Sequence, residues 1–294
     1  MPVSALLYAL FTIFLWSFLA FFGSRLSHVP PFLLVGLALC ISGLAGLIRM
    51  KDWRVPWQTL AVGVGGIFGY HFLYFSAFRY APAVEANMIN YLWPLLIVLL
   101  TPVYLPGNSL HAQHLIGAAM GLAGSMLIIT GGSFSLDLQN LPGYLLAAGA
   151  AVTWASYSLL TRRLRHFPTG TVGAFCLFSG LLSLSLFGLE SWATRSPLPV
   201  LTTTDWIYLI LIGLGPMGLA FFTWDAALKH GDPRIIGALT YMTPLSSTFV
   251  LVVLGGRSLS GVSAVALAFI LGGVLVSSAG MLRKKPAPTE NISG

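Results

Sequence analysis

The chain has 294 residues, of which 56% are hydrophobic and only 8% charged. Soluble domains carry about 25% charged residues, so the composition excludes one, and the net charge of +7 is not a nucleic-acid footprint. Apolar runs of about 20 residues recur almost end to end, each long enough to cross a ~30 Å hydrocarbon layer as a helix.

In chain order the runs predict helices over residues 3–23, 31–48, 57–78, 83–104, 111–130, 141–161, 170–189, 206–228, 233–254 and 261–282. The expected fold class is therefore all-α: a polytopic membrane protein with ten transmembrane helices. A membrane β-barrel would show alternating segments of ~10 residues, and none are visible. The first run lacks a preceding basic segment and a small-residue cleavage site, so it reads as a retained helix and not a signal peptide. Connections are short and carry Pro, Gly and charge, as at Pro30-Pro31, Ala81-Pro82, Pro106-Gly107 and Gly231-Asp232-Pro233. Trp53, Trp57, Trp192 and Trp206 sit at run ends, where amphipathic rings favour the headgroup level. Cys40 and Cys176 fall inside apolar runs and read as small buried hydrophobes.

Orientation follows from the basic residues of alternate loops. Arg49, Lys51, Arg54, Arg162, Arg163, Arg165, Lys229, Arg234, Arg283, Lys284 and Lys285 fall on one side. Arg25, Arg79, Arg195 and Arg257 fall on the other. Eleven against four makes the first side cytoplasmic by the positive-inside rule. Both termini are then expected inside.

The fourth run holds Asn87-Met88-Ile89-Asn90-Tyr91-Leu92-Trp93-Pro94. On a helix Asn87, Asn90, Tyr91 and Pro94 share one face. A carboxamide facing lipid forfeits its water partners at a cost of several kcal/mol, so this face must look at protein or at a water-filled cavity. A second version, Thr240-Tyr241-Met242-Thr243-Pro244, follows 150 residues later. Pro94 and Pro244 each remove a backbone donor mid-run and bend their helices. Gly63, Gly65, Gly66 and Gly69, with Gly213, Gly215, Pro216 and Gly218, add bendable stretches. Pro94, Pro244, Gly65 and Gly215 are the expected hinges.

The two halves repeat. Trp16, His28 and Pro30 align with Trp154, His166 and Pro168 at an offset of 138. From the third run the offset is 150, matching Gly63 and Gly65 to Gly213 and Gly215, Tyr91 to Tyr241 and Pro94 to Pro244. The expected organisation is a five-helix repeat over 1–132, a second over 133–282 and a cytoplasmic tail over 283–294. An odd number of helices per repeat inverts the second copy, as in alternating-access transporters whose substrate site lies between the repeats.

Two five-helix repeats, a Trp in the first helix of each and a proline in the fourth resemble the drug/metabolite transporter superfamily, specifically its EamA-type ten-helix exporters. The resemblance covers essentially the whole chain and rests on the pattern, not on any one motif. The aromatic, charge-poor interior is similar to that of bacterial aromatic amino acid exporters. The resemblance implies a multi-pass protein of the bacterial inner membrane that exports aromatic amino acids, as a monomer or weak homodimer.

No catalytic residues, metal ligands or cofactors are expected: phosphate-cradle and H-E-x-x-H motifs are missing, and His71 is the only well-embedded histidine. What remains is a lining. Asn87, Asn90 and Tyr91 supply polar groups; Trp16, His71, Tyr74, Trp154, Tyr157, Ser158, Trp224 and Tyr241 add aromatic and hydroxyl surface for a planar substrate. Tyr70, Phe78, Thr12, Ala20, Phe221, Thr240 and Ser247 lie on the same faces. Packing is the competing role for each aromatic. Glu85 and Asp225 are read as helix-end charges, with proton coupling as the alternative. Rival functions are export of lipophilic cations, a channel, or an intramembrane enzyme. The small-residue faces Gly117-x-x-x-Gly121-x-x-Gly124 and Ala264, Ala268, Gly272 are expected to let helices approach closely.

Overall fold

The computed structural model describes residues 1–133, 136–164, 166–255 and 261–283. The tail beyond Arg283, with Lys284 and Lys285, lies outside them, as do Arg165 and Arg257. Among the described residues every regular element is helical. Within hydrocarbon a helix satisfies its own backbone groups, and a lipid-exposed open sheet edge would not.

Ten helical stretches are long and apolar enough to cross a membrane: Val3–Arg25, Pro31–Trp53, Trp57–Ala77, Ala83–Tyr104, Ala112–Thr130, Leu138–Arg163, Thr169–Thr194, Thr203–His230, Pro233–Leu254 and Gly261–Ala279. They are called spans one to ten. The eighth begins earlier than hydropathy alone suggests, because Thr202 and Asp205 form a capping box that satisfies the first amides. Pro31 and Pro233 open spans two and nine at the first turn, where the missing N–H costs nothing.

Four spans are interrupted. Span one turns at Phe18, between Val3–Ser17 and Leu19–Arg25. Span four stops at Asn90 and restarts at Trp93; span nine stops at Leu239 and restarts at Met242. In spans four and nine the break sits just before a proline, whose ring clashes with the carbonyl four residues back. Span eight instead carries a π-helical turn, Gly215–Leu219, between two α-helical halves. Span three, Trp57–Ala77, is unbroken despite its glycines.

Two of those glycines, Gly63 and Gly66, are closely packed. A Cβ on Gly63 would come within 2.3 Å of the Phe175 ring, and one on Gly66 within 2.4 Å of Tyr157. Span two meets span seven in the same manner, Gly43 lying against Leu177 and Gly180 against the Cys40 backbone. Span five meets span ten through Gly117, Gly124 and Gly273. The small-residue face of span five works inside this bundle as expected, but that of span ten is displaced: Ala264 and Ala268 are exposed, and span ten meets span five through Ala266, Ile270, Gly273 and Ser277. Large apolar side chains such as Leu7, Phe14, Leu145 and Leu275 stay exposed on the outside, as a lipid-facing surface requires.

One end of the bundle is tied by charge. Lys229 pairs with buried Asp225 at 2.6 Å, donates to the Phe167 carbonyl at 2.8 Å and lies 3.7 Å above the Phe167 ring centroid. Thr169 donates to the same carboxylate at 2.6 Å. Arg162 donates to the last carbonyls of span eight, at Leu228 and Gly231. Asp225 is therefore a paired helix-end charge. Glu85 is engaged too, accepting from Tyr144 and from Asn140. Trp53 is not a plain headgroup anchor, since its indole donates to the Gly170 carbonyl at 3.1 Å.

Candidate functional site

The break in span four shapes the site. With no N–H at Pro94, the helix cannot close its ladder onto Asn90, and the chain turns through Tyr91 and Leu92. Asn87, Asn90 and Tyr91 then face span three, where Tyr70, His71 and Tyr74 lie on one helical face. The Tyr74 hydroxyl donates to Asn87 Oδ1 at 2.8 Å, and Asn90 Nδ2 donates to the Tyr70 hydroxyl at 3.2 Å. Two carboxamides are thus held by two phenols. Tyr70 and Tyr74 stack at 5.7 Å with their planes 7° apart. His71 Nδ1 sits 2.7 Å from the Ile67 carbonyl. A carbonyl only accepts, so Nδ1 carries the hydrogen.

These groups line a cavity of about 430 Å³, within the range of about 300–1,000 Å³ typical of small-molecule sites. Its wall continues through Trp16, Ala20, Phe78, Trp93, Trp154, Phe221, Thr243 and Ser247. No Asp, Glu, Lys or Arg is among the described residues that line it. The surface is aromatic, neutral and punctuated by amides and hydroxyls.

Three of these wall residues, with Trp224 behind them, form a cluster of indoles. Trp16 contacts Trp93, Trp154 and Trp224 at ring centroid distances of 6.0, 6.1 and 5.3 Å. Trp93 meets Trp154 and Trp224 at 6.4 and 5.7 Å, edge to face. Trp16 Nε1 donates at 3.1 Å to the Pro216 carbonyl in the π-helical turn. Four spans therefore converge on one aromatic floor.

The expected site residues divide in two. Asn87, Asn90, Tyr91, Trp16, His71, Tyr74 and Trp154 lie on the cavity wall. Trp224, Ser158, Tyr157 and Tyr241 lie below or beside it, all at most 3% exposed. The Trp224 indole donates to Ser158 at 3.1 Å, locking spans eight and six. Tyr157 fills the recess left by Gly66. Thr12, read with the lining, bonds Thr223 at 2.7 Å across spans one and eight.

Trp93 was given no site role by its sequence position. On a continuous helix it lies about 120° from Asn87 but only about 60° from Asn90, three residues earlier. The structure places it on the cavity wall. That i, i+3 spacing from Asn90 is the sequence signal that could have found it.

Relatives agree with this architecture. The aromatic amino acid exporter YddG of Ancylobacter novellus is 42% identical over 287 residues, 94% of this chain and 97% of that protein. The aromatic amino acid exporter YddG of Escherichia coli is 26% identical over 77% of this chain and 80% of its own. Protein PecM of Dickeya dadantii is 29% identical, covering 84% of each. A solved crystal structure, 41% identical, superposes with a TM-score of 0.89 over 97% of this chain and 100% of that one. The EamA-like transporter family matches residues 3–130 and 141–279. With ten spans and a match over most of its length, the chain is a multi-pass membrane protein that belongs to the EamA-like transporter family.

Proposed function

We propose that the protein exports aromatic amino acids across the bacterial cytoplasmic membrane by alternating access. The observation that carries this is the neutral aromatic cavity built where the broken spans meet. Its rings offer stacking area for a planar side chain, and its amides and hydroxyls suit a zwitterion, which needs no net countercharge. The Asn90 carboxamide oxygen and the Thr243 hydroxyl lie buried without a protein partner and are groups that a bound ammonium can use. The name of the 42%-identical relative supports the same substrate class.

Two inverted repeats account for the helix pairing. Span one packs on span eight as span six packs on span three, and spans two with seven and five with ten pair as mates. That is the set of contacts a two-fold axis in the membrane plane produces. The cavity reaches Ser27 and Pro31, in the loop poor in basic residues, so it opens outward, while the Asp225–Lys229 and Arg162 ties close the cytoplasmic end. Both termini are then cytoplasmic. The rearrangement that reverses access bends spans four and nine near Pro94 and Pro244 and uses the π-helical turn at Gly215, with exposed Gly65 as the matching flexible point in span three. A monomer contains the whole cavity.

The test is counterflow in proteoliposomes with labelled phenylalanine, tyrosine and tryptophan. Saturable accumulation is expected, reduced about tenfold or more by Asn87→Ala or Tyr91→Ala. Accumulation of lipophilic amines alone would give the substrate class to the rival reading, and flux that never saturates would make the protein a channel. Unchanged transport in both variants would remove the site assignment.

A further inference from the structure

We propose that Tyr241 is a positioning residue for transport: its phenol occupies the gap in the span-four backbone and holds the break open, so that Asn87, Asn90 and Tyr91 face the cavity. This rests on the transport reading above. In an unbroken helix the Leu95 amide would donate to the Tyr91 carbonyl. Here Leu95 N–H donates to the Tyr241 hydroxyl at 3.0 Å, and that hydroxyl lies 3.4 Å from the Tyr91 carbonyl, placed to donate to it. One oxygen from span nine stands between the two partners of a lost helical bond. An inserted side chain is one of the few recognised causes of a sharp helix break.

The insertion is built, not incidental. Tyr241 is 0% exposed, and it is clamped at both ends of its residue. Its ring lies over Gly121 of span five, where a Cβ would approach the ring to 2.4 Å. Its own carbonyl accepts from Ser125 Oγ at 3.4 Å. The repeat relation explains why the mate, Tyr91, does otherwise. The contacts of spans five and ten match at an offset of 149, one less than the 150 expected from the third run onward: Gly124 lies against Ile270 and Ala266, and Gly273 lies against Gly121 and Gly117. Ile270 thus stands where Gly121 stands in the other repeat. No recess is open for Tyr91, and its ring remains on the cavity wall.

Pro94 starts the break and stays in place, but removing the hydroxyl lets Leu95 N–H and the Tyr91 carbonyl close on each other, narrowing the break and turning the carboxamides from their place on the cavity wall. Tyr241→Phe keeps the ring in its recess and tests this directly. Hydrogen exchange followed by mass spectrometry on the purified protein needs no substrate. The peptide containing Tyr91 and Leu95 is expected to change its exchange rate by about tenfold or more, while peptides of span two stay as in the wild type. In counterflow, Tyr241→Phe is expected to raise the half-saturation concentration about tenfold. The effect of Asn87→Ala should then largely vanish in the Tyr241→Phe background, because the carboxamide is already misplaced. Gly121→Ala, which displaces the ring without touching the hydroxyl, should give the same exchange signature. Wild-type exchange around Leu95 in both variants, or strictly multiplying effects of Tyr241→Phe and Asn87→Ala, overturns the proposal. If the wild type transports no aromatic amino acid, the transport reading falls and the exchange measurement still decides the role of Tyr241.

Discussion

In span four the helix stops at Asn90, turns through Tyr91 and Leu92, and restarts at Trp93. In span nine it stops at Leu239, turns through Thr240 and Tyr241, and restarts at Met242. The backbones are alike because the same proline chemistry ends both first halves. The side chains diverge. Span four gives two carboxamides, a phenol and an indole to the cavity, whereas Thr240 bonds the Gly237 carbonyl at 2.7 Å and Tyr241 leaves the cavity for span four. Span nine contributes Thr243 and Ser247 one turn later. Of two elements with similar sequence, one lines the cavity and the other packs behind it.

The recess at Gly121 makes the division, and filling it should have the largest effect on the fold. Gly121→Ala drives a methyl into the Tyr241 ring and is expected to cost about 1–3 kcal/mol, the usual penalty of overpacking. Thermal unfolding of the purified protein measures it. A melting temperature equal to wild type would mean that the ring is free to move aside.

The helix starts of the two half-helices differ as well. Asp232 caps span nine, accepting from the Arg234 backbone and Nε at 2.9 Å each, while Pro82, at the matching place in span four, offers no side-chain cap. Burial pushes the Asp232 carboxyl up, but the hydrogen bonds and charge of Arg234 outweigh it and hold the group below the ordinary carboxylate range. A depressed folded-state pKa contributes stability above the unfolded value and loses it as pH falls through the folded one. Asp232→Ala is therefore expected to cost about 1 kcal/mol at neutral pH, with the two proteins converging in acid. Parallel melting curves across pH check it, and a constant difference would contradict the charge contribution.

The smallest effect is expected at Gly65, which is exposed and has nothing within 4 Å of where a Cβ would sit. Gly65→Ala should raise stability by about 0.4–1 kcal/mol through the unfolded chain. As a proposed flexible point it should also slow maximal exchange. Stabilisation with an unaltered rate would take Gly65 out of the hinges and leave the reversal of access to spans four, eight and nine.

Much of the fold was legible before any coordinates. Span length follows from hydropathy, which is local, and the breaks follow from Pro94 and Pro244, which act on residues within one turn. The π-helical turn in span eight was foreshadowed only as a Gly-Pro stretch, because proline permits several local solutions and neighbours select among them. For the site, a carboxamide has nowhere to go in lipid, so Asn87 and Asn90 could be placed from sequence. Aromatics carry no such constraint. Trp154 and Trp224 look equivalent along the chain, yet one faces the cavity and the other is buried against Ser158.

By itself, then, the sequence determined ten spans, two proline breaks and a polar face that must avoid lipid, since each depends on residues close in the chain. Tertiary structure alone decided that Trp224, Tyr157 and Ser158 lie beneath the wall and that Tyr241 crosses to span four. The physical reason is that the spacing along one helix does not say which neighbour it meets, and at a break helical phase is lost as well. Beyond it, a side chain goes where a neighbouring helix leaves room, and here Gly121 leaves room while Ile270 does not.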